Sequence, residues 1–421
     1  MPAPEWPGRQ GTGSAAAGHA RIGWLERGGD GVCLFGGTTV WHAERGSAGF
    51  LLHCERASGA GATAFTLTGR AIVLATGAHD VALPVPGWEL PGVLTAGGAQ
   101  ALIKGTGTLP GTRFLVAGAG PFLLPVAASI LAAGGAVAAV VDAAALGDWL
   151  CHLPAVAGSP AKLAEAAWYA ALLARHRVPL LTRSAVTAVG GTGRVAWADV
   201  DHVDRGWRPA GRPRRVEADT VCLSFGFVPS AELALSLGCG SLVRGAVPSA
   251  VADVDGDMWT GQPGIYAAGE LTGIGGAGLA EAEGFLAGMS AALAAGRSAG
   301  AGSARRRRVL LARRRRALRF AAALDDVYGL RPGWTSWMTP ETVVCRCEEV
   351  TVGAARRAVA DYGVTEERTL KMVSRVGMGR CQGRMCAHLA PCLIEAGERS
   401  PAAFANRPIA SPVSVESLIW P

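Results

Sequence analysis

The chain has 421 residues, half of them apolar, with 40 Lys and Arg against 33 Asp and Glu. That length predicts about three domains of ~100–200 residues, and the apolar fraction excludes a disordered chain. The net charge of +7 has one source, nine arginines between positions 305 and 319, and neither interleaved aromatics nor a nucleic-acid fold signature accompanies them, so no nucleic-acid partner is expected.

Residues 1–30 are rich in Gly, Ala and Pro, with a weak helical pattern at 19–27. They show no basic start, apolar run and cleavage site, so no secretory signal is read. Six of the ten cysteines scatter without regular spacing, which points to a reducing, cytoplasmic setting. Short runs at 32–35, 38–41, 50–54 and 64–67 predict strands of a small antiparallel patch feeding a strand at 71–74. That strand ends in Ala75-Thr76-Gly77-Ala78, where small side chains let the backbone press on a ligand or on another strand.

From 114 to 141 there is no charged residue, longer than the ~18 that raise the question of a membrane span. Gly118, Gly120, Pro121, Pro125, Gly134 and Gly135 interrupt it at intervals suited to a buried βαβ unit, so no span is expected. The unit reads as a strand at 114–117, a tight turn at Gly118-Ala119-Gly120, a helix at 122–133 and a strand at 136–141. Asp142 follows Gly120 by 22 residues. This is a dinucleotide-binding layout: glycines for the turn, a helix N-terminus for pyrophosphate and an acid for ribose hydroxyls. Leu123 replaces the third glycine, and NAD(P), ATP or a ligand-free core unit all fit the pattern.

A buried strand at 218–224 leads to Phe225-Gly226-Phe227-Val228-Pro229, and a second at 264–268 opens on Gly269 and Glu270. Gly273, Gly275, Gly276 and Gly278 then begin a helix reaching about 294. Through the arginine run, Leu310, Ala317, Ala321, Leu324 and Tyr328 recur at helical spacing. A solvated basic linker helix is expected, with a docking face for an acidic partner as the alternative.

Cys345, Cys347, Cys381 and Cys386 form C-x-C-x33-C-x4-C. Thiolates are the ligands shared by iron–sulfur clusters and structural zinc, and this spacing favours [2Fe-2S] because zinc sites more often use two C-x2–4-C knuckles. Four unrelated thiols are the remaining alternative. Gly377, Gly379 and Gly383 permit close backbone approach, and a helix expected over 384–395 aims amides at sulfur. Arg380 and Arg384 add positive charge that raises the potential, and Cys392 lies outside the pattern.

Residues 344–387 resemble the [2Fe-2S] domain of the bacterioferritin-associated ferredoxin type, whose ligand pattern the four cysteines match one for one. From about 38 onward the chain resembles the A (alpha) subunits of bacterial opine dehydrogenase, hydrogen cyanide synthase and dye-linked proline dehydrogenase. The resemblance rests on Ala75-Thr76-Gly77-Ala78, Pro86-Gly87-Trp88-Glu89-Leu90-Pro91-Gly92-Val93, Gly118-Ala119-Gly120-Pro121, Gly226-Phe227-Val228-Pro229-Ser230 and the cysteine array. It implies an α/β fold of two nested dinucleotide-binding, glutathione-reductase-like domains, the first incomplete at its N-terminus, plus a small, mostly helical [2Fe-2S] domain. The expected boundaries are 1–108 with 215–300 for the partial FAD domain, 109–214 for the inserted NAD(P)-type domain, 301–330 for the linker helix and 331–421 for the cluster domain.

By the same resemblance, Ala75, Thr76, Gly77, Gly269, Glu270, Gly275 and Gly276 are expected to face FAD and Cys345, Cys347, Cys381 and Cys386 the cluster, while the dinucleotide-binding layout assigns Gly118, Gly120 and Asp142 to a second nucleotide. A second flavoprotein (beta) subunit is implied, as is C–N oxidation of an amino acid or opine. Glu270 stands where the family has Asp, so its carboxylate is displaced by about a C–C bond. Proteins of this kind begin with a strand and G-x-G-x-x-G, whereas Gly8, Gly11 and Gly13 are in the wrong order with no apolar strand before them. The chain alone is therefore expected to carry little FAD, and a non-catalytic electron-transfer or assembly subunit, or a decayed copy without bound FAD, is the alternative reading. His79 and Glu270 fall near the expected flavin positions without an assigned catalytic role.

Overall fold

A computed structural model describes residues 31–47, 49–58, 61–298, 300–394 and 404–419; the helical pattern at 19–27 lies outside them. Thr38–Gly46, Gly49–Ser58 and Gly61–Gly69 pair in sequence as an antiparallel meander. The strand expected at 32–35 is irregular and exposed, because pairing begins only after the Gly36-Gly37 turn, where Gly37 is left-handed (φ 64°). Ala43 and Phe50 of the meander pack with Ile72, Leu74, Ile265 and Leu271 into the core of the flavin-type domain. There Ile72–Leu74 runs parallel to Ile265–Ala267.

The inserted domain is a five-stranded parallel sheet in the order Val93–Thr95, Thr220–Ser224, Arg113–Gly118, Ala136–Asp142, Leu180–Thr182. It takes in strands on both sides of the 109–214 span, since the apolar runs at 93–95 and 220–224 complete the same sheet. Leu123–Ala132 is its crossover helix, burying Leu123, Val126 and Ile130 against Phe114 and Val116. A three-stranded antiparallel sheet, Ser184–Gly190, Trp197–His202 and Arg214–Glu217, flanks it.

The helix Ala277–Ala294 lies against the 26-residue basic helix Ser303–Tyr328, and the chain then enters the cysteine domain. That domain contributes a short hairpin, Val343–Cys345 with Val350–Thr351, and the helices Val352–Tyr362 and Glu367–Ser374. The expected 384–395 helix is absent: turns follow Cys381, and only a 3-10 turn at Ala387–Leu389 and one α turn at Ala390–Leu393 form, with Pro391 at the start of the latter. The core of the inserted domain continues without a break through Trp207, Trp334 and Trp337 to Val344, Val376 and Leu389. Among the described residues, no helix is long and apolar enough to cross a membrane.

Candidate flavin and thiolate site

Parallel strands present their carboxyl ends to ligands. At one such end Thr76 Oγ1 donates to the Ser230 carbonyl (2.6 Å), the Ser230 amide donates to the Gly77 carbonyl (2.9 Å), and Gly77 is left-handed (φ 70°). Ala75-Thr76-Gly77 is thereby tied to the end of the Phe227–Pro229 strand. At the neighbouring end Gly269 is left-handed (φ 78°), and its amide donates to Glu283 Oε2 (3.0 Å), which also accepts from Thr272 Oγ1 (2.7 Å). Glu283 is fully buried, and Arg314 Nε donates to its other oxygen (2.8 Å). A buried ion pair between two helices thus fixes the Gly269-Glu270 turn. Glu270 Oε1 accepts from the Gly276 amide (2.9 Å) and the carboxylate also accepts from Gly275, so the acid caps the helix Ala277–Ala294; burial pushes its carboxyl up.

The basic helix is less solvated than its composition suggests. Arg307 grips Asp257 through two nitrogens (2.7 and 3.0 Å), Arg313 pairs with Glu281 (2.6 Å), and Arg314 reaches Glu283. The arginines therefore anchor the helix to the flavin-type domain as well as facing water.

At the second glycine turn, a Cβ on Gly118 would lie 1.6 Å from the Ser224 carbonyl oxygen, so the close approach of the two strands requires glycine. Gly120 (φ 117°) faces the Tyr328 ring, with 3.9 Å between a Cβ there and Tyr328 Cγ. Asp142, at the end of its strand, accepts from the amides of Ala144 (3.0 Å) and Gly120, and burial pushes its carboxyl up to about 7. Trp149 Nε1 donates to the Tyr328 hydroxyl (3.3 Å). The turn, the acid and the end of the basic helix are therefore in mutual contact.

The four cysteines of the array come together as two facing pairs. Cys345 hydrogen-bonds Cys386, and Cys347 hydrogen-bonds Cys381. All four lie within electrostatic range of one another. The Cys386 thiol together with amides of Gly377, Glu348 and Cys347 holds Cys345 down to about 6, while the contact with Cys345 and burial push Cys386 up. Among the described residues, no three His, Cys, Asp or Glu side chains already converge on one metal position. The loops have the features of a built site. Glu349 and Gln382 are left-handed non-glycine residues (φ 53° and 56°), one beside each cysteine pair. A Cβ on Gly379 would lie 2.1 Å from Cys347 Cβ, and one on Gly377 would lie 2.2 Å from the Phe404 ring.

The thiol loops are seated on the Pro86–Val93 segment. Trp88, fully buried, donates from Nε1 to the Val343 carbonyl (2.6 Å). Arg346, between the first two cysteines, lies over the Trp88 ring (5.3 Å to its centroid) and approaches the carbonyls of Glu89 and Val93. Sequence reasoning placed the glycine turns and the thiols but missed Glu283 and Glu232, each a buried acid; the available signal was a lone carboxylate on the apolar face of a helix. It also missed the tie between Trp88 and the thiols, which no local pattern announces.

A five-stranded parallel sheet and a second domain built on one parallel strand pair and an antiparallel meander, with glycine turns at the strand ends, define a two-domain dinucleotide-dependent oxidoreductase. The chain belongs to the pyridine nucleotide-disulphide oxidoreductase family, which matches residues 10–299. It is 34% identical over 349 residues to an opine oxidase subunit of Agrobacterium tumefaciens (strain Ach5), covering 82% of this chain and 67% of the relative. It is 35% identical over 318 residues to hydrogen cyanide synthase subunit HcnB of Pseudomonas aeruginosa, covering 75% and 68%. The crystal structure of L-proline dehydrogenase from P. horikoshii shares the fold, with a TM-score of 0.57 at 18% identity, covering 90% of this chain and 64% of that one. The chain spans about two thirds of the length of these proteins.

Proposed function

We propose that the chain is the subunit of a cytoplasmic FAD-dependent oxidoreductase that oxidises a C–N bond of an amino acid or opine together with a second flavoprotein (beta) subunit, and that Cys345, Cys347, Cys381 and Cys386 hold a [2Fe-2S] cluster. The observation that carries this reading is the seating of two facing thiol pairs, through Arg346 and Trp88, on a flavin-type oxidoreductase fold. The donor set fits the cluster: four thiols, amides directed at Cys345, and a glycine, Gly379, where a side chain would collide with Cys347. When bound, FAD supplies acceptance of two electrons from the substrate, and the cluster supplies one-electron transfer. Ala75, Thr76 and Gly77, with Gly269, Glu270, Gly275 and Gly276, are the residues that would hold the flavin. Glu283 orients the Gly269-Glu270 turn, and the continuous core shared with the inserted domain keeps the thiols in fixed register with the fold.

One observation favours a second reading, an electron-transfer or assembly subunit without its own FAD: Glu270 already satisfies the amides of Gly275 and Gly276. The two readings separate when anaerobically purified chain is incubated with FAD, then with a panel of L-amino acids, glycine and opines, and its visible spectrum is followed. Stoichiometric flavin that is reduced by one member of the panel supports the enzyme. A chain that retains no flavin even when co-expressed with a second flavoprotein subunit supports the second reading.

A further inference from the structure

Between the thiol loops and the flavin-type domain lies a buried acid that neither cofactor assignment uses, and it pairs with Arg384, a charge expected to act on the thiols alone. Glu232 opens the short helix Glu232–Ser236 of the flavin-type domain and is 4% exposed. Two guanidinium groups converge on its Oε1: Arg384, from between Cys381 and Cys386, at 2.9 Å, and Arg407, from the C-terminal segment, at 2.5 Å. Each arginine also binds backbone that shapes the loop. Arg407 donates to the carbonyl of Gln382, the left-handed residue beside Cys381, and Arg384 donates to the Ala410 carbonyl (2.5 Å).

The segment carrying Arg407 and Ala410 is itself tied to the flavin-type domain. The Ala410 amide donates to the Trp41 carbonyl (2.8 Å), and His42 Nδ1 donates to the Pro408 carbonyl (2.8 Å). At its start Phe404 occupies the space that Cβ atoms on Gly377 and Gly383 would need. His79, whose ring binds the Arg384 carbonyl, and Arg407, whose Nε is buried with no partner, complete the junction.

We propose that Glu232 is the positioning residue of the thiol site: by pairing with Arg384 and Arg407 it locks the Cys381–Cys386 loop against the flavin-type domain. The inference rests on the thiols' proposed role but is tested separately from it. One buried carboxylate balances two half-buried guanidiniums, so its loss leaves two like charges facing each other in a partly desolvated junction and frees Arg407, which faces Cys381. The strained Gln382 then loses the restraint on its carbonyl, and the loop opens.

The test uses the full chain, wild type and as Glu232→Ala, Glu232→Gln and Arg407→Met. Under anaerobic conditions two things are measured: iron with acid-labile sulfide and the electron paramagnetic resonance spectrum of the reduced protein, and the iodoacetamide alkylation rate of each cysteine in metal-free protein. The proposal expects Cys381 and Cys386 to alkylate at least about tenfold faster in Glu232→Ala, while Cys151 and Cys222 keep their rates. Iron content should fall by more than half in the same variant. Glu232→Gln, which keeps one acceptor, should retain the iron with a shifted resonance spectrum. Wild-type protein without iron or sulfide overturns the cluster reading alone, since the alkylation rates still decide the role of Glu232. Unchanged rates at Cys381 and Cys386 in all three variants overturn the positioning role; should Glu232→Ala fail to fold, Glu232→Gln and Arg407→Met carry the comparison.

Discussion

Truncating Glu283 exposes how the Gly269-Glu270 turn is held. The side chain is fully buried and makes three interactions: the Gly269 amide, the Thr272 hydroxyl and Arg314. Glu283→Ala removes the acceptor from two buried donors and leaves a guanidinium unpaired. Breaking a buried pair in this way costs about 3–5 kcal/mol, and the 18% side-chain exposure of Arg314 places the expectation near the lower end, since water can reach the stranded cation. Glu283→Gln keeps an acceptor for the amide and the hydroxyl and loses only the charge, so about 1–2 kcal/mol is expected. A double-mutant cycle with Arg314→Ala should return a coupling of about 1–3 kcal/mol. Urea unfolding followed by tryptophan fluorescence measures all four proteins, and added FAD should bind Glu283→Ala more weakly than wild type. A cost below about 1 kcal/mol for Glu283→Ala, or equal costs for the Ala and Gln variants, would refute the role assigned to this carboxylate.

Four further outcomes are expected. Gly379→Ala sets a methyl against Cys347, 2.1 Å from its Cβ, and should lower bound iron without removing any thiol; metal analysis checks it. Trp88→Phe deletes the bond to the Val343 carbonyl at a cost of about 1 kcal/mol and should speed amide exchange across 343–351, read by mass spectrometry. Burial pushes the carboxyls of Asp80 and Asp142 up to about 7 from 3.8, so the folded chain holds protons that the unfolded chain releases; stability should fall as pH rises from about 4 to about 7. Urea midpoints should show that fall, and it should flatten in Asp80→Asn/Asp142→Asn. Reversing charge at Arg307 and Arg313 breaks the pairs to Asp257 and Glu281, so the basic helix should loosen from the flavin-type domain, less at high salt, as judged by limited proteolysis between 296 and 303.

Local signals carried much of the fold. The Arg113–Gly118 strand, its glycine turn, the Leu123–Ala132 helix and the Ala136–Asp142 strand follow the apolar runs and their punctuation, because a buried parallel unit has few other ways to satisfy its backbone. Of the thiols that the spacing singled out, Cys345 meets Cys386 and Cys347 meets Cys381, and among the described residues no three of them converge on one position. What stayed hidden depends on distant partners. Proline at 391 starts a new turn inside the helix expected over 384–395, and the loop before it takes its shape from Phe404, Arg407 and Glu232 instead. Glu270 closing on its own helix, Asp142 on its own turn, and the basic helix gripping three acids are likewise tertiary choices that charge and periodicity leave undetermined.

The inorganic content of the full chain, purified without oxygen, decides whether the thiol loops hold a cluster. Two irons and two acid-labile sulfides per chain are expected, with the iron lost in Cys381→Ser. Zinc without sulfide, or iron undiminished by that substitution, would contradict the assignment.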